Sequence, residues 1–209
     1  MADEARLVHV CRHGEVDNPG GVLYTRLPGF HLSERGHAMA DRLGEHFADV
    51  PVAGLRTSPL ERTQETMAPI AARHPDLDVV VDGRLLEADS LLQGTTAAQR
   101  RALIRDPARW GLFRNPLAPS WGEPWTHIVA RMRSAIVDAA LSVGPGRIVV
   151  LTSHQAPIWV TRLAAEHRSL AHLPAMRRCT LASVTTFSVT PDGTLTFVGY
   201  AEPARDLLP

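Results

Sequence analysis

The sequence predicts an α/β protein with three layers, α/β/α, in which a mostly parallel central sheet carries a helical cap insertion and a C-terminal β-hairpin. Short apolar runs alternate along the chain with segments of helical periodicity, as in proteins built from parallel strands and crossover helices. Residues 147–152 form a strand whose centre is continuously apolar, which is typical of a central parallel position. Two strand-like segments, 181–189 and 194–200, flank a Pro-Asp-Gly turn, which indicates a hairpin.

The other strands and helices are predicted from apolar runs of strand length and from residues that start or stop a helix. In chain order they are a strand at 7–11, a helix at 33–48, a strand at 52–57, a helix at 58–74, a strand at 77–81, a helix at 95–105, a helix at 123–143 and a helix at 157–165.

Particular residues mark the ends of these helices. Ser33 is a residue type that caps helix N-termini well. The segment 58–61, Ser-Pro-Leu-Glu, has the form of a capping box with proline at the first helical position, so it predicts a helix start. Pro69 is expected to kink or shorten that helix. Gly144 is expected to end the long helix predicted at 123–143.

Length and composition predict one domain, residues 1–209, with the cap insertion at about 94–125. The chain has 209 residues, and its hydrophobic fraction of 44% supports a sizeable core. Lys and Arg together number 22, as do Asp and Glu, so the formal net charge is zero. Nothing in this balance resembles the basic surface of a nucleic-acid-binding protein.

Cysteine usage and the N-terminal segment bear on compartment and partners. The two cysteines, Cys11 and Cys179, are too few for a disulfide framework and lack zinc-site spacing. The N-terminal residues are polar, and no apolar run is long enough to span a bilayer. We expect a soluble cytoplasmic protein, without a membrane partner, that can form a homodimer through the tail hairpin or an exposed edge strand.

Three predicted strand-to-helix junctions carry residues suited to binding an anion. Arg12 and His13 follow the first strand, Arg62 lies in the first turn after the second, and His154 follows the central strand. If the sheet is parallel, all three junctions share one edge, where helix N-termini also point. Histidine can act as a nucleophile, and arginine grips phosphate with paired donors. The sequence therefore predicts a phosphoryl group carried on His13.

Four segments at this edge carry a resemblance to a known family. They are residues 12–15 (Arg-His-Gly-Glu), 32–36 (Leu-Ser-Glu-Arg-Gly), 58–66 (Ser-Pro-Leu-Glu-Arg-Thr-Gln-Glu-Thr) and 153–154 (Ser-His). In this order and spacing, the chain resembles the histidine phosphatase superfamily, which includes phosphoglycerate mutases.

The resemblance implies a role for each matched residue. His13 resembles the nucleophile that becomes phosphorylated on one ring nitrogen, while the other nitrogen donates to a backbone carbonyl near Gly14. Arg12, Arg62 and His154 resemble the residues that bind the phosphoryl oxygens and stabilise the charge of the group in transfer.

The family also has a carboxylic acid that protonates the leaving group and later activates water. Glu87 resembles this acid, and Asp89 is the reserve candidate.

The chain departs from the family pattern at three places. Gln155 stands where the family usually has glycine, so its side chain either narrows the phosphate pocket or adds a donor. The family often has asparagine six residues after the nucleophile, where this chain has Pro19, and Asn18 is the nearest candidate phosphate ligand. Residues 16–19 also lack the tryptophan-asparagine pair typical of phosphoglycerate mutases, which disfavours mutase activity.

The expected activity is hydrolysis of a small phosphate monoester through a phosphohistidine on His13, with no cofactor and no metal. Two alternatives stay open: a phosphoglycerate mutase-type phosphotransferase, and a catalytically silent module that binds a phosphorylated ligand. Arginines and tryptophans in or beside the cap either line the substrate pocket or belong to solvated and packed surfaces. They are Arg100, Arg101, Arg105, Arg109, Arg114, Trp110, Trp121 and Trp125.

Overall fold

The computed structural model of the chain describes residues 5–113 and 121–209. In these residues, the strands are β1 (Arg6–Arg12), β2 (Val52–Thr57), β3 (Val79–Val81), β4 (Ile148–Ser153), β5 (Val184–Val189) and β6 (Leu195–Ala201). The α-helices are α1 (Glu34–Phe47), α2 (Glu61–Ala72), α3 (Ala97–Arg105), α4 (Trp125–Leu141) and α5 (Gln155–Ala165). Short 3-10 segments lie at Gly83–Leu85, Pro107–Phe113, Pro174–Met176 and Arg205–Leu207.

The strands form one six-stranded sheet in the order β3-β2-β4-β1-β5-β6. β4 pairs in parallel with both β1 and β2, and β2 pairs in parallel with β3. β5 is antiparallel to both of its neighbours, β1 and β6. The predicted mostly parallel sheet, the central position of β4 and the C-terminal hairpin are thus confirmed.

Successive side chains of a strand point to opposite faces of the sheet, and both faces carry apolar side chains. Helices therefore pack on both faces. On one face, α4 and α5 pack on residues such as Val8 and Leu151. On the other, α1 and α2 pack on residues such as Cys11 and Val150. The two apolar clusters give the predicted α/β/α layers.

The structure confirms one of the predicted helix start signals and contradicts another. Ser33 caps α1 as expected, since its hydroxyl accepts from the backbone N–H of Gly36 at 3.0 Å. The capping box at 58–61 is wrong, because α2 begins at Glu61 and the Ser58 hydroxyl lies 2.9 Å from Nε2 of His154 instead. Pro69 lies within the last turn of α2, which ends at Ala72, two residues before the predicted end at 74.

The remaining differences are small. β3 is shorter than the predicted strand at 77–81 and forms an exposed edge of the sheet. The predicted helix of the cap is confirmed as α3, whereas cap residues 114–120 lie outside the described residues. No helix in the described ranges combines the length and apolar character needed to cross a membrane.

The N-terminus of α1 packs directly on the chain that leaves β1. The backbone N–H of Ser33 donates to the carbonyl of Glu15 at 3.0 Å. A Cβ atom on Gly36 would lie 2.0 Å from that same carbonyl oxygen, and a Cβ on Gly14 would lie 2.5 Å from the Gly36 oxygen. Both positions therefore require glycine, and their contact fixes the turn that follows His13.

We expect Gly36→Ala to lower the free energy of unfolding by about 2 kcal/mol or more, because the added methyl group forces two backbone segments apart. Urea unfolding followed by circular dichroism measures the change. Gly83→Ala is the matched control, since nothing lies within 4 Å of a Cβ atom built on Gly83. Equal stability of the two variants would contradict the close packing.

Candidate active site

The three predicted junctions meet at one edge of the sheet. The backbone N–H of His13 donates to the carbonyl of Ser153 at 3.1 Å, which links the end of β1 to the end of β4. The N–H of Ser58 donates to the carbonyl of Thr152 at 3.1 Å, which links the end of β2 to β4. Side chains that follow these strands are thereby brought together, as expected for the carboxyl edge of a parallel sheet.

His13 is buried, and its ring is held in one tautomer. Nδ1 donates to the carbonyl oxygen of Gly14 at 2.8 Å, so Nε2 carries the lone pair. Burial and the nearby cations Arg12 and Arg62 hold the pKa of His13 well below its usual value of 6.5. The imidazole is therefore neutral near pH 7, which is the state a nucleophile needs. The predicted contact with a carbonyl near Gly14 is present.

Two arginines beside His13 have buried donors without partners. Arg62 is 0% exposed, and its Nη2 donates to the carbonyl of Thr25 at 2.5 Å. Arg12 donates through Nη1 to the carbonyl of Cys179 at 2.7 Å. Nε of Arg12 and both Nε and Nη1 of Arg62 are buried without a hydrogen-bond partner in the described parts of the chain. An anion with several acceptor oxygens would satisfy these donors.

Tyr24 completes the wall beside these cations, and the sequence analysis missed it. Its ring centroid lies 4.8 Å from the guanidinium carbon of Arg62 and 6.5 Å from the ring centroid of His13. The ring also stacks on Phe30 at 5.1 Å. No motif spacing marks Tyr24, because it lies in a loop that the fold brings over the sheet edge.

His154 lies next to His13, with 5.3 Å between the two ring centroids. The Ser58 hydroxyl is 2.9 Å from Nε2, and Nη2 of Arg62 is 3.4 Å from Nδ1. Burial and the neighbouring positive charges hold the pKa of His154 well below 6.5. Ser58 thus orients His154 rather than capping α2.

Glu87 faces the same cavity as His13 and is half-buried. Its Oε1 accepts from the backbone N–H of Ala88 at 2.7 Å. Burial lowers the pKa of Arg62, and the charge of Glu87 is among the groups that oppose that shift. Asp89 also lines the cavity but is exposed, with Oδ1 bound to the N–H of Ser90 at 2.7 Å. Of these two carboxylates, Glu87 is therefore the more buried.

A cluster of two arginines and one carboxylate holds the backbone of Glu87. Arg26 donates through Nε to the Glu87 carbonyl at 2.7 Å, and Arg131 approaches the same oxygen at 3.4 Å. Both arginines pair with Glu123, at 2.8 Å for Arg26 and 2.9 Å for Arg131. The sequence analysis missed this cluster, since its members come from three distant segments and share no motif.

Gln155 lines the cavity as the first residue of α5. Its Nε2 donates at 3.3 Å to the Cys179 carbonyl, the same oxygen that holds Arg12. Asn18 is placed elsewhere, because its amide donates to the Val22 carbonyl at 2.9 Å and accepts from the Val22 N–H at 3.1 Å. Asn18 closes a loop and does not line the cavity, so its assignment as a phosphate ligand is corrected.

The cavity lined by Arg12, His13 and Glu87 has a volume of about 740 Å³, far more than a phosphate group needs, and the fully buried Arg62 and His154 are not among its lining residues. Its outer wall includes Trp121 and Trp125 together with Arg100 and Arg101 of α3. Trp110 is 61% exposed and Arg105 is also exposed, and neither belongs to the described wall. Arg114 and the side chain of Arg109 lie outside the described residues.

The chain matches the Histidine phosphatase superfamily (branch 1) over residues 8–201, and it belongs to that family. Uncharacterized protein Rv0525 of Mycobacterium tuberculosis (strain ATCC 25618 / H37Rv) is 48% identical over 204 residues, covering 98% of this chain and 99% of the relative.

Solved structures share the fold. The mycobacterial glucosyl-3-phosphoglycerate phosphatase Rv2419c is 28% identical with a TM-score of 0.75, covering 93% of this chain and 96% of its own. The same phosphatase has been solved with inorganic phosphate, at 27% identity, TM-score 0.74 and coverages of 95% and 99%. YhfR of Bacillus stearothermophilus is 24% identical with a TM-score of 0.76, covering 92% and 94%, and its likeness supports the fold alone.

The buried histidines predict a loss of stability in acid. Because the pKa of His13 lies well below 6.5 in the folded chain, the unfolded chain binds more protons at any pH between those two values. Stability therefore falls as pH drops below 6.5, by about 2 kcal/mol per such histidine at pH 5.

We expect the loss between pH 7 and pH 5 to be about 2 kcal/mol smaller in His13→Gln than in the wild type, measured by urea unfolding at both pH values. His37→Gln, at an exposed position, controls for the replacement of a histidine. An unchanged acid dependence in His13→Gln would argue against a neutral His13.

Proposed function

We propose that this protein hydrolyses a phosphate monoester through a phosphohistidine formed on His13. The observation that carries the proposal is the set of buried, unpartnered donors on Arg12 and Arg62 beside a neutral imidazole whose Nε2 lone pair is available. A phosphoryl group supplies the oxygens that these donors lack, and it offers phosphorus to Nε2.

In the first half of the reaction, Nε2 of His13 attacks phosphorus, and the bond from phosphorus to the leaving oxygen breaks. The protonated carboxyl group of Glu87 donates its proton to that oxygen, so the alcohol departs neutral. Arg12, Arg62, His154 and Gln155 bind the phosphoryl oxygens, and the positive field of the two arginines stabilises the transition state. The Gly14 carbonyl stabilises the positive charge that develops on the imidazole.

In the second half, the carboxylate of Glu87 takes a proton from a water molecule whose oxygen attacks phosphorus. The bond between phosphorus and Nε2 breaks, and its electron pair returns to the ring. Inorganic phosphate leaves, His13 is again neutral, and Glu87 is again protonated. The cycle consumes only the phosphate monoester and one water molecule. The two arginines supply positive charge throughout.

The choice of a phosphatase over a mutase is supported by the comparison with Rv2419c. That protein is a glucosyl-3-phosphoglycerate phosphatase, and it has been solved with inorganic phosphate, the product of hydrolysis. By this analogy, the cavity of the present chain takes a small phosphorylated substrate and releases phosphate to water.

We expect His13→Ala to reduce phosphate release from para-nitrophenyl phosphate by about a thousandfold or more, because no nucleophile remains. Wild-type enzyme quenched during turnover of a labelled substrate should carry acid-labile phosphate that His13→Ala lacks. His37→Ala, at an exposed position, is the control. Equal release by wild type and His13→Ala would contradict the mechanism. Transfer between the positions of bisphosphoglycerate without free phosphate would instead favour the mutase.

We expect Glu87→Gln to lower kcat by about a hundredfold or more for an alkyl phosphate and much less for para-nitrophenyl phosphate, whose leaving group needs no proton. Asp89→Asn is the matched control and should stay near wild type with both substrates. Steady-state phosphate release measures all four combinations. An equal loss with both leaving groups, or a larger loss in Asp89→Asn, would remove Glu87 from its role as the acid.

A further inference from the structure

Arg177 is a cation of the cavity that the mechanism above does not use. It follows the 3-10 segment Pro174–Met176, lines the cavity that contains His13, and is half-buried. It lies outside every sequence segment that resembles the family and outside the predicted cap, so sequence pattern alone predicts no role for it.

The guanidinium of Arg177 is held in place by neighbouring rings. Its Nε donates to Nε2 of His172 at 3.0 Å, and its carbon lies 5.5 Å from the ring centroid of Trp125. His172 accepts this bond because its Nδ1 donates to the Leu170 carbonyl at 2.7 Å, which leaves Nε2 with the lone pair. His172 is 6% exposed and packs on Trp125 with 5.2 Å between centroids. Arg177 is therefore positioned before any ligand arrives.

The terminal amino groups of Arg177 are not used within the chain. Neither one hydrogen-bonds to any part of residues 5–113 and 121–209, and no carboxylate of those residues forms a salt bridge with Arg177. Burial lowers the pKa of Arg177, and the charge of Glu87 opposes the shift while that of Arg12 adds to it. No carboxylate of the described residues pairs directly with Arg177, and the charge of Glu87 offsets only part of the effect of burial, so an anionic ligand in this cavity would be bound favourably.

The phosphoryl group alone does not account for this cation. Arg12 and Arg62 already offer three unpartnered donors beside His13, enough for one phosphoryl group. The cavity of about 740 Å³ leaves space for an organic body as well. Arg100 and Arg101 of α3 line the same cavity, as do the carboxylates Asp89 and Glu123.

We propose that Arg177 binds a second anionic group on the alcohol portion of the substrate, a carboxylate or a second phosphate. The inference rests on the proposed function, because it assigns the substrate class of that site: phosphate monoesters that carry a further negative charge. The two terminal amino groups match the paired oxygens of either anion. His172 and Trp125 act as positioning residues for Arg177.

The test compares three aryl phosphates that differ at the para position. 4-Carboxyphenyl and 4-(phosphonomethyl)phenyl phosphate carry an anionic para substituent, whereas 4-carbamoylphenyl phosphate carries a neutral one. We expect Arg177→Met to lower kcat/KM for an anionic substrate by about tenfold to a hundredfold, chiefly through KM, and for the neutral one by less than about twofold. The anionic substrate whose kcat/KM falls more in Arg177→Met identifies the second anion as a carboxylate or a phosphate. Arg177→Lys should recover part of the preference, and exposed Arg178→Met is the matched control.

A binding measurement keeps this inference separate from the proposed function. Calorimetry compares 4-carboxybenzylphosphonate and 4-(phosphonomethyl)benzylphosphonate with benzylphosphonate, none of which can be hydrolysed. We expect at least one of the two doubly anionic compounds to bind wild type about tenfold or more tighter than benzylphosphonate, and Arg177→Met to remove the difference.

The outcomes are distinct. Absence of turnover with a retained binding difference would contradict the proposed function and leave the second anion site in place. An equal loss for charged and neutral compounds would show that Arg177 acts through Glu87 or the fold, and would overturn the inference. No loss in Arg177→Met, or the same loss in Arg178→Met, would overturn it as well.

Discussion

The guanidinium of Arg62 is completely buried at the first turn of α2, where the helix dipole disfavours a cation. A charge removed from water without a carboxylate partner raises the free energy of the folded chain. The fold offsets part of this cost through the Thr25 carbonyl and the Tyr24 ring. The other donors have no partner among the described residues, so an anion at this point relieves a strain that the free protein carries. These unpartnered donors are what make the site favourable for an anion.

The loop that contacts Arg62 also contacts the segment that contains Glu87. Tyr24 and Thr25 contact Arg62, and the next residue, Arg26, binds both the Glu87 carbonyl and Glu123. A single stretch of three residues therefore contacts both Arg62, the proposed ligand of the phosphoryl oxygens, and the segment that contains Glu87, the proposed proton donor. Because proton transfer depends on the distance between donor and leaving oxygen, this shared support keeps the two groups in register.

The sheet and its edge were predictable because each depends on local pattern. The continuous apolar run of β4 indicates a strand buried on both faces, and the residues after parallel strands must meet at one edge. Ser58 shows where local pattern fails. Its sequence context is that of a helix cap, but His154, 96 positions away, competes for the same hydroxyl. Asn18 fails similarly, since a bond to Val22 four residues on satisfies its amide. The spacing of residues along the chain does not show which other group in the fold will hydrogen-bond to the same side chain.

The residues around the cavity are held in place in two different ways. His13, Arg12 and His154 belong to or directly follow strands β1 and β4, whose mutual hydrogen bonds leave little freedom for displacement. Glu87, Glu123 and Arg177 lie instead in connections between helices and strands, where side-chain hydrogen bonds hold Glu123 and Arg177. A substitution in a connection alters one wall of the cavity and leaves the sheet edge unchanged. The sheet edge therefore fixes the positions of His13 and His154, whereas the walls formed by connections are free to differ between proteins that share this fold.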